Sequence, residues 1–365
     1  MTTESKASVD LFGSAKLGNL GLQNRIVMAP MTRSRAINNI PNSIMADYYS
    51  QRATAGLIVT EGTSPSPNGL GYARIPGVFS KEQVEGWKLV TDAVHKKGAK
   101  IFVQLMHTGR VGTTANLPKD AELIGPSAVQ LSGENWTDSN GMQPYSLPRE
   151  MSAQDLKNTI QEFVAASKNA IAAGFDGVEL HGANGYLLEQ FLNPNANKRT
   201  DSYGGSKENR NRFVIEVAQQ VASAIGKEKT AIRLSPYGVF NETGAFEGIE
   251  EQYEALAGEL NKIGLVYIHL VNHSAMGAPE VPQSVVQKIR NQFKNTLILS
   301  GGYDKKRAQA DLENGNCDLV AFGRPFLANP DFVYRLKEDK TLADADQSTF
   351  YTPGEKGYSD YPSLN

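Results

Sequence analysis

The sequence predicts an α/β protein built as an eight-stranded (β/α) barrel. Eight short β-rich apolar runs follow one another along the 365 residues, and amphipathic helical patterns lie between them. Each run is almost continuously apolar, as expected of strands buried on both faces. Alternation of this kind favours parallel pairing, because the crossovers supply the helices. Closure of eight such units gives a (β/α)8 TIM barrel. A doubly wound open sheet is the rival architecture. It usually carries a glycine-rich turn after its first strand, and none follows Arg25–Met31.

In chain order, Gly13–Asn24 reads as a hairpin placed to plug the barrel bottom. The eight strands are read at Arg25–Met31, Gly56–Thr60, Lys100–Leu105, Gly177–Leu180, Thr230–Ser235, Val266–Val271, Thr296–Ser300 and Asp318–Gly323. Helices are read at Lys81–Lys97, Ala153–Ala173, Ser206–Ile225, Glu250–Lys262, Pro282–Phe293 and Lys305–Asn314. Ser152, three residues before Asp155, has the spacing of a capping box. Gly98, Gly174, Gly226, Gly264 and Gly315 stand where helices need a left-handed cap. The chain reads as a single domain over 1–365, with an insertion over 110–151 and a C-terminal tail over 340–365. Long excursions on a compact barrel are often functional.

Composition limits the function classes. Lys plus Arg is 37 and Asp plus Glu is 39, a net charge of −2, so nothing electrostatic calls for nucleic acid or a membrane surface. Cys317 is the single cysteine, which removes disulfide frameworks and thiolate zinc clusters. Met1–Asp10 lacks the apolar core of a signal peptide, and no run reaches the ~18 apolar residues of a membrane span. A cytoplasmic enzyme acting on a small molecule is expected, as a monomer or weak homo-oligomer.

Barrel chemistry sits where strands end. Those ends offer Thr32, Glu61, Gly62, Gln104, Met106, His107, His181, Asn184, Arg233, Asn272, His273, Gly301, Gly302, Gly323 and Arg324. The histidines are scattered, so no metal is expected. No lysine stands at a strand end for a Schiff base. Glu61 has no partner for a two-carboxylate hydrolysis, because Glu179 lies inside a strand. No dinucleotide fingerprint occurs. The glycines of "SGGY" and "FGR" match the usual phosphate position of a barrel, with Arg324 as a planar donor. Thr32, Gln104 and Arg233 suit the edge of a flat heterocycle. Arg233, inside an apolar strand, could instead be a buried salt bridge to Glu61 or Glu179. His181 and Asn184 can both donate to one oxygen, and Tyr186 keeps its phenolic proton at neutral pH.

These residues resemble a known family. "NRIVMAPMTRSRA", "VQLMHTGR", "ELHGANGYLLEQFLNPNANKRTDSYGGSKENRNRF", "IRLSPYGVF", "LSGGYDKKRA", "VAFGRPFLANPD" and "GYSDYP" are similar to the Old Yellow Enzymes. These are flavin-dependent ene-reductases, and the nearest group includes the pentaerythritol tetranitrate and N-ethylmaleimide reductases. The resemblance implies noncovalent FMN and NAD(P)H as reductant. It implies reduction of α,β-unsaturated carbonyls and nitroalkenes, and of nitrate esters, in a ping-pong cycle. Thr32, Gln104 and Arg233 would meet the flavin ring, and the backbone at Ala29, Pro30 and Gly62 would line it. Gly301, Gly302, Gly323 and Arg324 would hold its phosphate. His181 and Asn184 would grip the substrate oxygen and Tyr186 would donate a proton. Tyr72, Met106 and Tyr351 would shape the substrate pocket. Met106 departs from the tryptophan of many relatives. A cofactor-free isomerase of sugar phosphates and a noncatalytic flavin-binding protein are the alternatives.

Overall fold

A computed structural model describes residues 9–364; the polar stretch read at Met1–Asp10 lies outside them as far as residue 8. The hairpin strands are β1 (Ala15–Leu17) and β2 (Leu20–Leu22). Then come β3 (Ile26–Met28), α1 (Ser43–Gln51), β4 (Leu57–Thr63), α2 (Lys81–His95) and β5 (Lys100–Leu105). The insertion holds four short strands, β6 (Ile124–Gly125), β7 (Glu134–Thr137), β8 (Gly141–Pro144) and β9 (Arg149–Glu150). α3 (Ala153–Ala172), β10 (Gly177–Gly182), α4 (Leu187–Leu192), α5 (Lys207–Ile225) and β11 (Thr230–Leu234) follow. The chain ends through α6 (Ile249–Ile263), β12 (Tyr267–Val271), α7 (Gln283–Gln292), β13 (Thr296–Ser300), α8 (Lys305–Glu313), β14 (Leu319–Phe322), α9 (Pro325–Ala328) and α10 (Phe332–Lys337).

Strands β3, β4, β5 and β10 to β14 close into one parallel barrel, with β14 against β3. Inward side chains fall into two kinds. The lower interior is apolar, with Val27, Leu57, Val59, Phe102, Tyr267 and Leu319 in one cluster. Ala15, Leu17 and Leu22 of the hairpin join that cluster, so the hairpin plugs the barrel as expected. The upper interior is polar and carries the site. The helices pack outside over a second, larger apolar cluster. Among the described residues, no helix is long and apolar enough to cross a membrane.

Some expectations need correction. The sequence reading placed no helix between the first two strands, yet α1 forms there, capped by Asn42, whose side chain accepts the Met45 N–H. Gly226 has φ 100 and ψ 137, outside the left-handed helical region, whereas Gly264 at φ 83 and ψ 37 caps α6 as expected. The first strand stops at Met28, leaving Ala29, Pro30 and Thr32 in the following loop. β4 runs on to Thr63, with an irregular register between Val59 and Gly62. β10 reaches Gly182, so His181 lies within it.

The C-terminal tail is fastened to the start of the chain by three arginines. Arg33 donates to Gly357 O (2.6 Å), Arg35 to Phe350 O (2.7 Å) and Thr349 O (2.8 Å), and Arg52 to Tyr358 O (3.4 Å). Tyr358 stacks on Tyr48 at 4.0 Å, with the Arg33 and Arg52 guanidiniums against the Tyr48 ring. Burial, and then the Arg33 charge, push Arg35 down to about 10, so it stays charged at neutral pH. Replacing Arg35 by Met strands buried carbonyls of the tail. The expected cost is about 2–4 kcal/mol, because charge-assisted hydrogen bonds are worth more than neutral ones. Thermal unfolding should come earlier, and limited proteolysis should cut first within residues 347–358. A tail that stays protease-resistant with an unshifted midpoint would contradict the fastening role.

Candidate active site

Strand register brings the predicted polar residues together. His181 on β10 pairs with Arg233 on β11, and Arg233 with His269 on β12. Glu179, two residues before His181, pairs with Gln104 on β5. Paired residues on neighbouring strands point the same way, so this set faces into the barrel. Gln104 Nε2 donates to Glu179 Oε1 (2.8 Å), Tyr267 donates to Glu179 Oε2 (3.0 Å), and His269 Nδ1 lies 3.0 Å from the same oxygen. His269 Nε2 meets Ser300 Oγ at 2.9 Å.

Arg233 is buried, and its Nε has no protein partner. No carboxylate lies within ion-pair distance of it among the described residues; burial lowers its proton affinity, and the Glu179 charge offsets only part of that. Glu61 is occupied elsewhere, accepting from Tyr49 OH (3.2 Å) and the Arg33 N–H (3.4 Å). The salt-bridge reading of Arg233 therefore fails for Glu61 and survives for Glu179 only as a longer-range attraction. His181 is 3% exposed, and its Nδ1 is likewise unpartnered. Burial first, then Arg233, hold its imidazole well below the ordinary range, so it is neutral. Buried polar atoms are normally satisfied. Two orphans at one strand end mark a place for a polar ligand.

Beyond β10 the chain turns sharply. Asn184 has φ 60 and Gly185 φ 74, two successive left-handed residues. A Cβ on Gly185 would come within 2.5 Å of Phe240 O, so glycine is required on both counts. Tyr186 follows, its ring 5.1 Å from that of His181, and its hydroxyl meets that of Tyr72 at 3.1 Å. Burial pushes the Tyr186 phenol up to about 12, so it carries its proton.

A cavity of about 730 Å³ opens here. Tyr72, Tyr186 and Tyr351 line it, as expected, together with Thr32, while His181 and Asn184 are not among its lining residues; Arg74 and Trp136, which sequence reasoning missed, join it. Arg74 ties the mouth together: it bonds Asp138 of the insertion and donates to Tyr351 O (2.7 Å) of the tail. Met106 lies one layer back. It is buried in a cluster with Leu70 and Ile75, behind Tyr72 and Tyr186, and against Gly62, where a Cβ would meet its sulfur at 2.5 Å.

At the far side, Gly301 and Gly302 follow β13, and Gly323 and Arg324 follow its neighbour β14. Gly301 has φ 122, and a Cβ there would fall 1.9 Å from Asn272 O, so the backbone is left bare for close approach. Arg324 is exposed. Bare backbone donors beside a guanidinium suit a phosphate. The unpartnered Arg233 Nε and the Gln104 amide, whose nitrogen is committed to Glu179, suit the polar edge of a ring. The residues present therefore fit FMN. The sequence reading missed Ser300 and His269, and it missed Glu189 and Ser235 beneath the turn. A polar residue alternating with apolar ones inside a strand was the available signal for His269.

Similarity to known proteins identifies the family. The model of the NADH:flavin oxidoreductase / NADH oxidase family matches residues 10–343. The chain is 43% identical over 364 residues to 12-oxophytodienoate reductase 1 of Oryza sativa subsp. japonica, covering 98% of this chain and 94% of that one. A Leishmania infantum protein named as a probable flavin mononucleotide-dependent alkene reductase is 39% identical over 370 residues, with 100% of both chains covered. Morphinone reductase superposes with a TM-score of 0.94 at 41% identity, over 98% of this chain and 97% of that one, and has also been solved with tetrahydroNAD. The chain belongs to the NADH:flavin oxidoreductase / NADH oxidase family, to which the Old Yellow Enzyme motifs pointed. It is a flavin-dependent oxidoreductase with FMN as cofactor and a nicotinamide reductant, as expected, and the cofactor-free isomerase is set aside.

Burial makes the site sensitive to acid. His107 is pushed down to about 3 and His273 to about 4, and His181 and His269 are also lowered. Each takes up a proton near pH 6.5 only when unfolded, so each removes stability as pH falls below that value. Glu61 and Glu189 are pushed up to about 7 by burial and act in the opposite sense, binding protons first in the folded state. The four histidines outnumber the raised carboxylates Glu61, Glu189 and Glu162, so stability should fall as the pH drops below about 6. Urea midpoints measured from pH 7 to 5 check this. A flat or rising trend would mean that the histidines are charged in the folded protein.

Proposed function

We propose that the chain reduces the activated C=C bond of α,β-unsaturated carbonyls and nitroalkenes, and acts on nitrate esters, with NADH or NADPH as reductant. The arrangement that carries this reading is one turn of chain, in which His181 Nδ1 and Asn184 Oδ1 are buried without protein partners and Tyr186 brings its phenol to the cavity. Cytoplasmic location and a monomer or weak homo-oligomer complete the reading, as does a single FMN-binding domain over 1–365.

Thr32, Gln104 and Arg233 would hold the ring edge, with Ala29, Pro30 and Gly62 along it. Gly301, Gly302, Gly323 and Arg324 would hold the phosphate. When bound, FMN supplies acceptance of hydride from the nicotinamide and its delivery to the substrate β-carbon. The rest falls to the protein. His181 is neutral, so it donates one hydrogen bond without carrying charge, and Asn184 donates another to the same oxygen. Together they stabilise the enolate that develops as the β-carbon is reduced. Arg233 offsets negative charge at the ring edge. Tyr186 then gives its proton to the α-carbon. Tyr72, donating to the Tyr186 oxygen, leaves that proton free for the substrate. Tyr351, Trp136 and Arg74 exclude water at the mouth. Nicotinamide and enone use the one pocket in turn.

The purified protein should be yellow and release FMN on denaturation; a colourless protein that takes up no added FMN would end this reading. Tyr186→Phe separates proton donation from pocket shape. Enone turnover should fall by roughly 10²–10⁴, the usual worth of a positioned general acid, while reduction of the bound flavin by NADH barely changes. Nitroalkenes should suffer less, because their anion is stable enough to be protonated by water. Equal losses in both half-reactions would assign Tyr186 to shape alone.

Met106→Trp adds volume behind Tyr72 and Tyr186 in a fully packed layer. FMN binding should persist, while rates on bulky substituted enones fall more than on cyclohexenone. A uniform effect across such a panel would show that this layer does not set the pocket's shape.

A further inference from the structure

Glu189, third residue of α4, has 2% of its surface exposed and takes no part in the chemistry described above. Its Oε2 accepts the Gly185 N–H at 2.6 Å, and its Oε1 accepts the Tyr253 hydroxyl at 3.2 Å. The Ser235 hydroxyl lies 2.9 and 3.0 Å from its two oxygens. That same Ser235 oxygen accepts the Asn184 N–H at 2.8 Å. A serine hydroxyl has one proton and two lone pairs. Ser235 therefore donates to Glu189 and accepts from Asn184. The amides of both left-handed residues thus converge on one buried carboxylate, one directly and one through Ser235.

The carbonyls of the same two residues are held by neutral amides. Asn241 Nδ2 donates to Asn184 O (2.7 Å), and Gln190 Nε2 donates to Gly185 O (2.8 Å). A non-glycine residue in the left-handed region costs about 1–2 kcal/mol, and such a conformation persists only where surrounding contacts over-determine it. The Asn184 side chain makes none of those contacts: its Oδ1 is buried without a protein partner. The backbone is anchored and the side chain is left free to serve a ligand.

We infer that Glu189 is the positioning residue of the oxygen clamp: through Gly185 and Ser235 it sets the aim of Asn184 at the substrate oxygen, and so governs KM for carbonyl substrates. This inference rests on the reading of Asn184 as an oxygen ligand. Glu189→Gln keeps the volume, but its amide has only one accepting oxygen for three donors. Gly185 cannot rotate its N–H away, so that oxygen turns to Gly185; Ser235 must then share it at 3.0 Å and faces the amide NH2 where it had the other oxygen at 2.9 Å, so its link is weakened.

The test is a double-mutant cycle on the FMN-loaded enzyme with cyclohexenone, following KM, kcat, flavin content and thermal midpoint. Asn184→Ala alone should raise KM. Glu189→Gln alone should raise KM roughly tenfold, about the worth of one hydrogen bond, with full flavin content and a much smaller change in kcat. Glu189→Gln added to Asn184→Ala should change KM by less than about twofold, because its route to the substrate is already cut. Ser235→Ala, which removes the Asn184 link but spares the Gly185 and Tyr253 bonds, should show the same loss of effect in the Asn184→Ala background, and it decides the matter if Glu189→Gln does not fold. A wild-type KM in Glu189→Gln, or in Ser235→Ala where Glu189→Gln does not fold, or full additivity with Asn184→Ala, overturns the inference while the clamp stands. A silent Asn184→Ala overturns the clamp itself, and this inference with it.

Discussion

A carboxylate with no exposed surface sits inside the barrel, and the polar layer beneath the site is arranged around it. Burying Glu179 tends to raise its pKa, but His269, Arg233 and Gln104 more than compensate, and its carboxyl is held below the ordinary range. Its partners come from β5 and β12, and His269 extends the chain of contacts to Ser300 on β13. A lone charge in that position would be prohibitive, and a half-satisfied network would be worse than an apolar core. The arrangement has two consequences. It fixes the Gln104 amide with its nitrogen turned inward, and it balances the Arg233 charge at a distance, leaving the Arg233 Nε free. The residues that suit a ring edge are thus oriented by one that is not itself at the cavity.

The barrel and its additions divide the work. The polar residues His181, Arg233 and Gln104, proposed as ligands, are on strands, where neighbouring hydrogen bonds fix their positions. The cavity's outer wall comes from elsewhere: Trp136 on the insertion hairpin, Tyr351 on the tail, and Arg74 joining them. Strand-borne groups are held tightly enough for chemistry, while loop-borne groups can vary without disturbing it.

Much of this was legible from residues alone. Strand positions followed from apolar continuity, and the site from the rule that barrel chemistry gathers at strand ends. Motif resemblance then gave Thr32, His181, Asn184 and Tyr186 their expected roles, and the structure places them at one end of the barrel. What escaped was set by tertiary contact. α1 carries a weak apolar stripe and depends on packing of Tyr48 and Tyr49. The strands of the insertion are two to four residues long, too short for a period to show. Met106 was expected on the wall itself, but strand direction alone does not separate a lining residue from one a layer behind. Glu189 looked like an ordinary helical glutamate, and only the fold brings Ser235 and Tyr253 to it.

The arginine fastening also bears on the order in which the molecule can become competent. Arg33 and the carbonyl it holds at Gly357 are 324 positions apart, and Arg35 and Thr349 are 314 apart. Contacts of such separation form late, because closing the intervening chain must come first. On the ribosome, the segment bearing Tyr351 emerges after every strand of the barrel. A nascent chain can complete the cylinder and its buried charge network while the cavity still lacks one wall. Closure of the cavity's outer wall can therefore follow completion of the barrel as a separate step of folding.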